Sequence, residues 1–443
     1  MSISRLIALA ALLLVPAGGA AAADIQHWRT AGGVRVLFVE ARALPIIDVS
    51  VEFRAGSAFD PPGHGGLAVL VGQLLRFGAG GLPEEAIAQR LADVGAELVT
   101  RVDVDRASVA LRTLSGAAER RQAFDALARV VQQPDFPVAA FERERARAVS
   151  VLRDEATRPN IIAQRHFLAG VYREHPYARR PAGEPASVHS LGRDDVLAFH
   201  RARYTAAHAV VAIVGDLSRA EAEALAEQLT ARLPAGSREA MPLPSVTPLA
   251  EARVTRVPHV AQQAHVLIGA PGMSRSDPDF FALLVANHVF GGGGFGSRLM
   301  SEVREQRGLA YSVHSRWQPW LAGGAFEIGV QTRRDQADST VALIMQLLRR
   351  YVNEGPTPRE LEAARRNLIG GWPLRIDTNR ELHDFLALIG FYDLPLDHLR
   401  NWPRQIERVT AADVQRVLRR IDPERMVTVI VGGTEPALRV GQH

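Results

Sequence analysis

The 443-residue sequence contains no cysteine and no lysine, so all 52 basic residues are arginine. Without cysteine there is no disulfide, no thiolate metal site and no thiol nucleophile. Without lysine there is no Schiff base and no phosphate-loop lysine. The guanidinium group does not titrate in the ordinary range, which accounts for much of the basic isoelectric point. A formal charge of +4 over this length is too thin for a nucleic-acid surface. Aromatic residues are scarce at 6%, yet 47% hydrophobic and 23% charged residues exclude a disordered or low-complexity chain. The length predicts two to four domains with sizeable cores.

The N-terminus has one positive side chain, Arg5, then an apolar run from Leu6 to Val15. Pro16, Gly18 and Gly19 follow, with Ala21 and Ala23 in an A-x-A arrangement before Asp24. A bilayer span needs about 20 apolar residues, so residues 1–23 read as a cleaved signal peptide. The expectation is an exported chain beginning near Asp24, periplasmic, with no lipidation cysteine and no stable membrane anchor.

Beyond Asp24, period-two and period-3.6 patterns alternate. Strands are predicted at 34–40, 46–54, 97–101, 105–113 and 209–216. Helices are predicted at 66–77, 83–94, 117–133, 138–156 and 160–172. Four prolines between Leu233 and Ala250 mark a semi-rigid linker, 233–250. The pattern then restarts, with strands at 263–270, 310–316, 325–331 and 426–431. Helices are predicted at 277–290, 296–306, 335–353, 357–372 and 378–390. DDVLAFHRARYTAAHAVVAIVGD (194–216) and ADVQRVLRRIDPERMVTVIVGG (412–433) close the two halves alike, which suggests duplication of a whole domain. The expected fold is α+β: two homologous domains, 24–232 and 251–443, each a mainly antiparallel sheet with helices packed on it.

Common catalytic templates fail. There is no G-x-S-x-G elbow. Gly291, Gly293 and Gly296 formally satisfy G-x-G-x-x-G, but Phe281 to Phe290 reads as a helix where that fingerprint needs a strand. No two of the 14 histidines are four apart, so no helical histidine pair is available for a metal.

Two segments carry a resemblance: GLAVLVGQLLRFGA, from Gly66 to Ala79, and FGGGGFGSRLMSEVREQRGLAYSV, from Phe290 to Val313. With EHPYARRPAGEPASV at 174–188 and AVVAIVGD at 209–216, they resemble the pitrilysin/insulysin-type inverzincin metallopeptidases in their short two-domain form, which includes the mitochondrial processing peptidase. That family reads G-L-A-H-x-x-E-H in the first segment, two histidines for zinc and a glutamate as base. Here those positions are Val69, Gly72 and Gln73, and His64 lies five residues before Val69. The family's third ligand falls near Val149 to Val151, with Glu144 and Glu155 out of register. The resemblance therefore implies no metal in this chain.

The second segment keeps the family's R-E-x-x-G-L-x-Y pattern, as Arg304, Arg307, Gly308, Leu309 and Tyr311. A helix ending near Gly308 and a strand opened by Tyr311 let a guanidinium and a phenol converge on a peptide carbonyl or the oxyanion it becomes. Gly291, Gly292, Gly293 and Gly294 resemble a shortened form of the glycine-rich loop of the non-catalytic mitochondrial processing subunit; the alternative is a hinge that lets the next helix pack closely. The resemblance implies a non-catalytic subunit that binds peptide beside the zinc of a homologous catalytic partner. A structural or peptide-binding family member with no part in proteolysis is the alternative.

Overall fold

The computed structural model describes residues 24–237 and 243–432. The segment read as a signal peptide, residues 1–23, lies outside the described residues, as do 238–242 within the linker. The apolar runs form strands: β1 (Gln26–Arg29), β2 (Arg35–Glu40), β3 (Ile46–Phe53), the short hairpin β4 (Gly78–Ala79) and β5 (Leu82–Pro83), then β6 (Glu97–Val102), β7 (Ala107–Leu114) and β8 (Ala209–Gly215). After the linker come β9 (Arg253–Val257), β10 (Gln263–Pro271), β11 (Ala310–Gln318), β12 (Ala325–Arg333) and β13 (Val427–Val431).

Two sheets result, ordered β1-β2-β8-β3-β7-β6 and β11-β12-β10-β13-β9. All pairs are antiparallel except β2 with β8 and β9 with β13. Read from its β6 edge, the first sheet runs β6-β7-β3-β8-β2, the same walk as β11-β12-β10-β13-β9, with the parallel pair in the same place. The chain thus folds the same α+β topology twice.

The principal helices also recur: α1 (Leu67–Leu74), α2 (Ala117–Gln132), α3 (Val138–Glu155) and α4 (Pro159–Tyr172) before the linker. After it come α5 (Phe280–Asn287), α6 (Ala337–Glu354), α7 (Pro358–Gly371) and α8 (Asn379–Phe391). Two of them do not stay with their own half. Helix α4 packs on β10 and β13, and α8 packs on β2, β3 and β8. Each brings a glycine to the contact. A Cβ at Gly170 would lie 2.8 Å from Val427 Cγ1, and one at Gly390 would lie 2.5 Å from Val210 Cγ1. This exchange is why β2 and β8 are apolar on both faces: Leu37, Val39, Ala212 and Val214 belong to the core built largely by the second half.

Other differences from the sequence reading are local. The stretch expected as helix 277–290 is α5 followed by a π-helical turn, His288–Gly292, and the one expected at 296–306 is a π-helix, Met300–Glu305. Strands β1 and β9 carried too little periodicity to be read, and the helix His398–Arg408, although it buries Leu399, Trp402 and Ile406 on one face, contains Pro403, a residue that argues against a helix interior. The linker is pinned where it is described: His175 Nε2 lies 2.8 Å from the Pro244 carbonyl and Arg173 donates to the Pro248 carbonyl at 2.9 Å. Among the described residues, no helix is long and apolar enough to cross a membrane.

Candidate functional site

Helix α1 starts at Gly66, whose φ of 94° is the left-handed conformation glycine accepts. The Asp60 carboxylate caps it, accepting the Gly66 and Ala68 amides at 2.9 and 2.8 Å. Burial raises this carboxyl to about 6, against its helix amides, which pull the other way. Its folded-state pKa thus exceeds the unfolded value of 3.8, so its contribution to stability is complete below about pH 4 and is lost as pH rises through 6. Unfolding titrations from pH 4 to 7 should show a decline of roughly 2–3 kcal/mol from this group that is missing in Asp60→Asn. Equal slopes in the two proteins would contradict it.

Val69 and Gln73 face a hollow of about 400 Å³ between α1 and α3. Gly72 does not face it: this glycine is buried against β6, where an added Cβ would lie 2.4 Å from Val102 Cγ2. From α3 the hollow receives Glu144, Arg147, Ala148, Val151, Leu152 and Glu155. Val151, and not Val149, is therefore the member of the 149–151 stretch that faces Gln73; Val149 is in the core. Glu144, 6% exposed, accepts from Arg143 Nε at 2.9 Å and lies 3.6 Å from Arg147. Glu155 accepts from Arg180 at 2.8 Å. His64 is turned away, its Nε2 3.6 Å from Asp195.

The second candidate lies in the other half. Arg304 sits in the π-helical stretch Met300–Glu305, and Gly308, with φ of 61°, makes the reversal into β11. The β11–β12 register slips between Ala310 and Ser312, so Tyr311 is the extra residue of a β-bulge. A bulge re-aims its side chain, and Tyr311 is 81% exposed. The Arg304 guanidinium lies between two rings, 5.0 Å from Tyr311 and 4.9 Å from Phe295, which is itself 66% exposed. Among the described residues Arg304 has no carboxylate partner. The glycine run divides. A Cβ at Gly291 would lie 2.4 Å from the Ser315 amide, at Gly292 2.4 Å from Asn287 Nδ2, and at Gly293 2.6 Å from the His288 carbonyl. Of the four from Gly291 to Gly294, only Gly294, with φ of 60°, has open space around it. The first three let the chain pack closely, and Gly294 turns it to present Phe295.

Among the described residues, none lining the α1–α3 hollow comes from the second half. Within one chain, then, Val69 and Gln73 are not brought together with Arg304 and Tyr311.

Comparison with known proteins adds the family. A family model described as insulinase, peptidase family M16, matches residues 35–184, and one described as the peptidase M16 inactive domain matches 190–368. A crystal structure titled peptidase M16 inactive domain, from Pseudomonas fluorescens, is 35% identical and covers 93% of this chain and 98% of its own, with a TM-score of 0.89. This chain belongs to peptidase family M16.

Two curated relatives of the M16 chain bear different names. An uncharacterized zinc protease of Mycobacterium leprae is 28% identical over 90% of each chain. The non-peptidase homolog YmxG of Helicobacter pylori is 25% identical over 86% of this chain and 87% of its own. The first name implies a metal, and the donors facing the α1–α3 hollow do not fit one. Val69 offers no donor atom, Gly72 has no side chain, and Gln73 offers a neutral amide. The Glu144 and Glu155 carboxylates are already held by guanidinium groups. Among the described residues, no three His, Cys, Asp or Glu side chains converge.

Phe295 and Arg76, which lines the hollow, escaped the sequence reading. Phe295 interrupts the glycine run, a signal that was available; a lone arginine after α1 carries none.

Proposed function

We propose that this M16 chain is the non-catalytic partner in a two-chain zinc peptidase. It is exported, holds no catalytic zinc, and presents Arg304 and Tyr311 to peptide bound at the metal site of a homologous catalytic subunit. The observation that carries this reading is the exposed Phe295–Arg304–Tyr311 stack. A guanidinium without a carboxylate partner among the described residues, flanked by two rings and beside a bulge that turns a phenol outward, serves no core. Its N–H groups and the phenol are available to a peptide carbonyl, and they strengthen as charge develops on that oxygen. The two ring contacts limit the rotamers of Arg304, so less freedom is lost on binding.

The test is a reconstitution with the M16 homologue carrying an intact H-x-x-E-H. Peptide hydrolysis should rise when the two chains are mixed and fall about 10²-fold with Arg304→Ala, as for loss of one oxyanion donor. Tyr311→Phe should lower it as well. Full activity of both variants would instead favour the second reading, a peptide-binding or structural subunit, which the name of the Helicobacter relative supports. Stoichiometric zinc with hydrolysis by the isolated chain would overturn both.

A further inference from the structure

The α1–α3 hollow is unsuited to a cation, and its unspent donors point to an anion. Four charged side chains line it: Arg76, Arg147, Glu144 and Glu155. Both carboxylates are neutralised from within the protein, Glu144 by Arg143 and Arg147, and Glu155 by Arg180. Arg76 has no carboxylate partner among the described residues; its guanidinium rests only over the Phe77 ring, 5.4 Å from the centroid. One turn earlier, the exposed Gln73 amide makes no hydrogen bond to the described residues. The rest of the lining is largely apolar, with Val69 and Leu70 from α1 and Val151 and Leu152 from α3, and Val151 is 49% exposed. A volume of about 400 Å³ accommodates a chain end or one to two side chains and no larger element.

We propose that this hollow is a peptide-carboxylate site: Arg76 takes the carboxylate in a forked ion pair, the Gln73 amide donates to it, and the apolar wall receives the adjoining aliphatic side chain. The carboxylate is either a C-terminus or an acidic side chain. The site lies in the other half from Arg304 and does not depend on proteolysis in a complex.

The experiment uses the full mature chain and three fluorescein-labelled hexapeptides of valine and serine, followed by anisotropy. One has a free C-terminal carboxylate, one a C-terminal amide, and one is amidated with glutamate as its last residue. At least one carboxylate peptide should bind about tenfold more tightly than the neutral amide, and Arg76→Gln should erase that gap while leaving the neutral peptide unchanged. Preference for the free acid alone assigns a chain terminus; preference for the glutamyl amide assigns an acidic side chain, and equal preference assigns both. Arg304→Ala should keep the gap, so failure of the Arg304 reading is seen separately. Three peptides binding alike, a gap that survives Arg76→Gln, or no binding by any of them would overturn the proposal.

Discussion

Asp105→Ala should destabilise the protein by about 4 kcal/mol, measured as the loss of unfolding free energy in urea. Asp105 is fully buried in the turn between β6 and β7. Its carboxylate accepts from the Tyr177 hydroxyl at 2.6 Å, the Tyr392 hydroxyl at 3.0 Å and the Leu321 amide at 2.8 Å. Tyr177 belongs to a short 3₁₀ turn of the first half, Tyr392 follows α8, and Leu321 lies between β11 and β12. One carboxylate thus ties both halves together. Burial pushes the Asp105 carboxyl above its ordinary range and the two phenols well above theirs. Truncation would relieve the cost of burying the charge, but would strand the buried Tyr177 hydroxyl and deprive the half-buried Tyr392 hydroxyl and Leu321 amide of their acceptor. At about 1–3 kcal/mol for each orphaned donor the loss outweighs the relief. Asp105→Asn keeps one acceptor oxygen and should fall between. A change under about 1 kcal/mol for the alanine variant would show that water replaces the carboxylate.

Restoring the family's helix motif should not restore the metal. The triple variant Val69→His, Gly72→Glu, Gln73→His should retain no zinc after dialysis, read by elemental analysis, and should cleave no peptide. At position 72 any Cβ meets Val102 Cγ2 at 2.4 Å, so the introduced glutamate would force helix α1 off strand β6, a strain of about 1–3 kcal/mol. The third ligand would still be absent, because the side chain facing Gln73 from α3 is Val151. Adding Val102→Ala and Val151→Glu removes both obstacles, and the five-fold variant should take up close to one zinc per chain. Stoichiometric zinc in the triple variant would mean that the packing of Gly72 against Val102 yields easily.

Neither of these effects is visible in a local pattern. By resemblance, Val69, Gly72 and Gln73 stand where the family's motif has its histidines and glutamate, but the pattern does not disclose that position 72 is packed against a strand. Nor does the run from Val149 to Val151 say which member faces outward; the phase of α3 against α1 chooses Val151. Arg304 and Tyr311 were legible as a pair only through the resemblance to R-E-x-x-G-L-x-Y; the helix end and strand start between them fit that reading without requiring it. The bulge that turns Tyr311 outward comes from a register slip against β12, a partner strand whose pairing no periodicity encodes.

The residues alone determined the apolar strands at 34–40, 46–54 and 209–216, the doubled α+β order and the absence of thiol and lysine-amine chemistry. All of these are properties of neighbours a few positions apart, where side-chain type and backbone period act directly. Tertiary structure alone decided that α4 and α8 change places, that Gly170 and Gly390 sit at those crossings, that Asp105 collects donors from both halves, and that Arg76 has no counter-ion among the described residues. Those outcomes depend on contacts between residues hundreds of positions apart. They are fixed by which faces remain apolar once each sheet has formed, and no single segment contains that information.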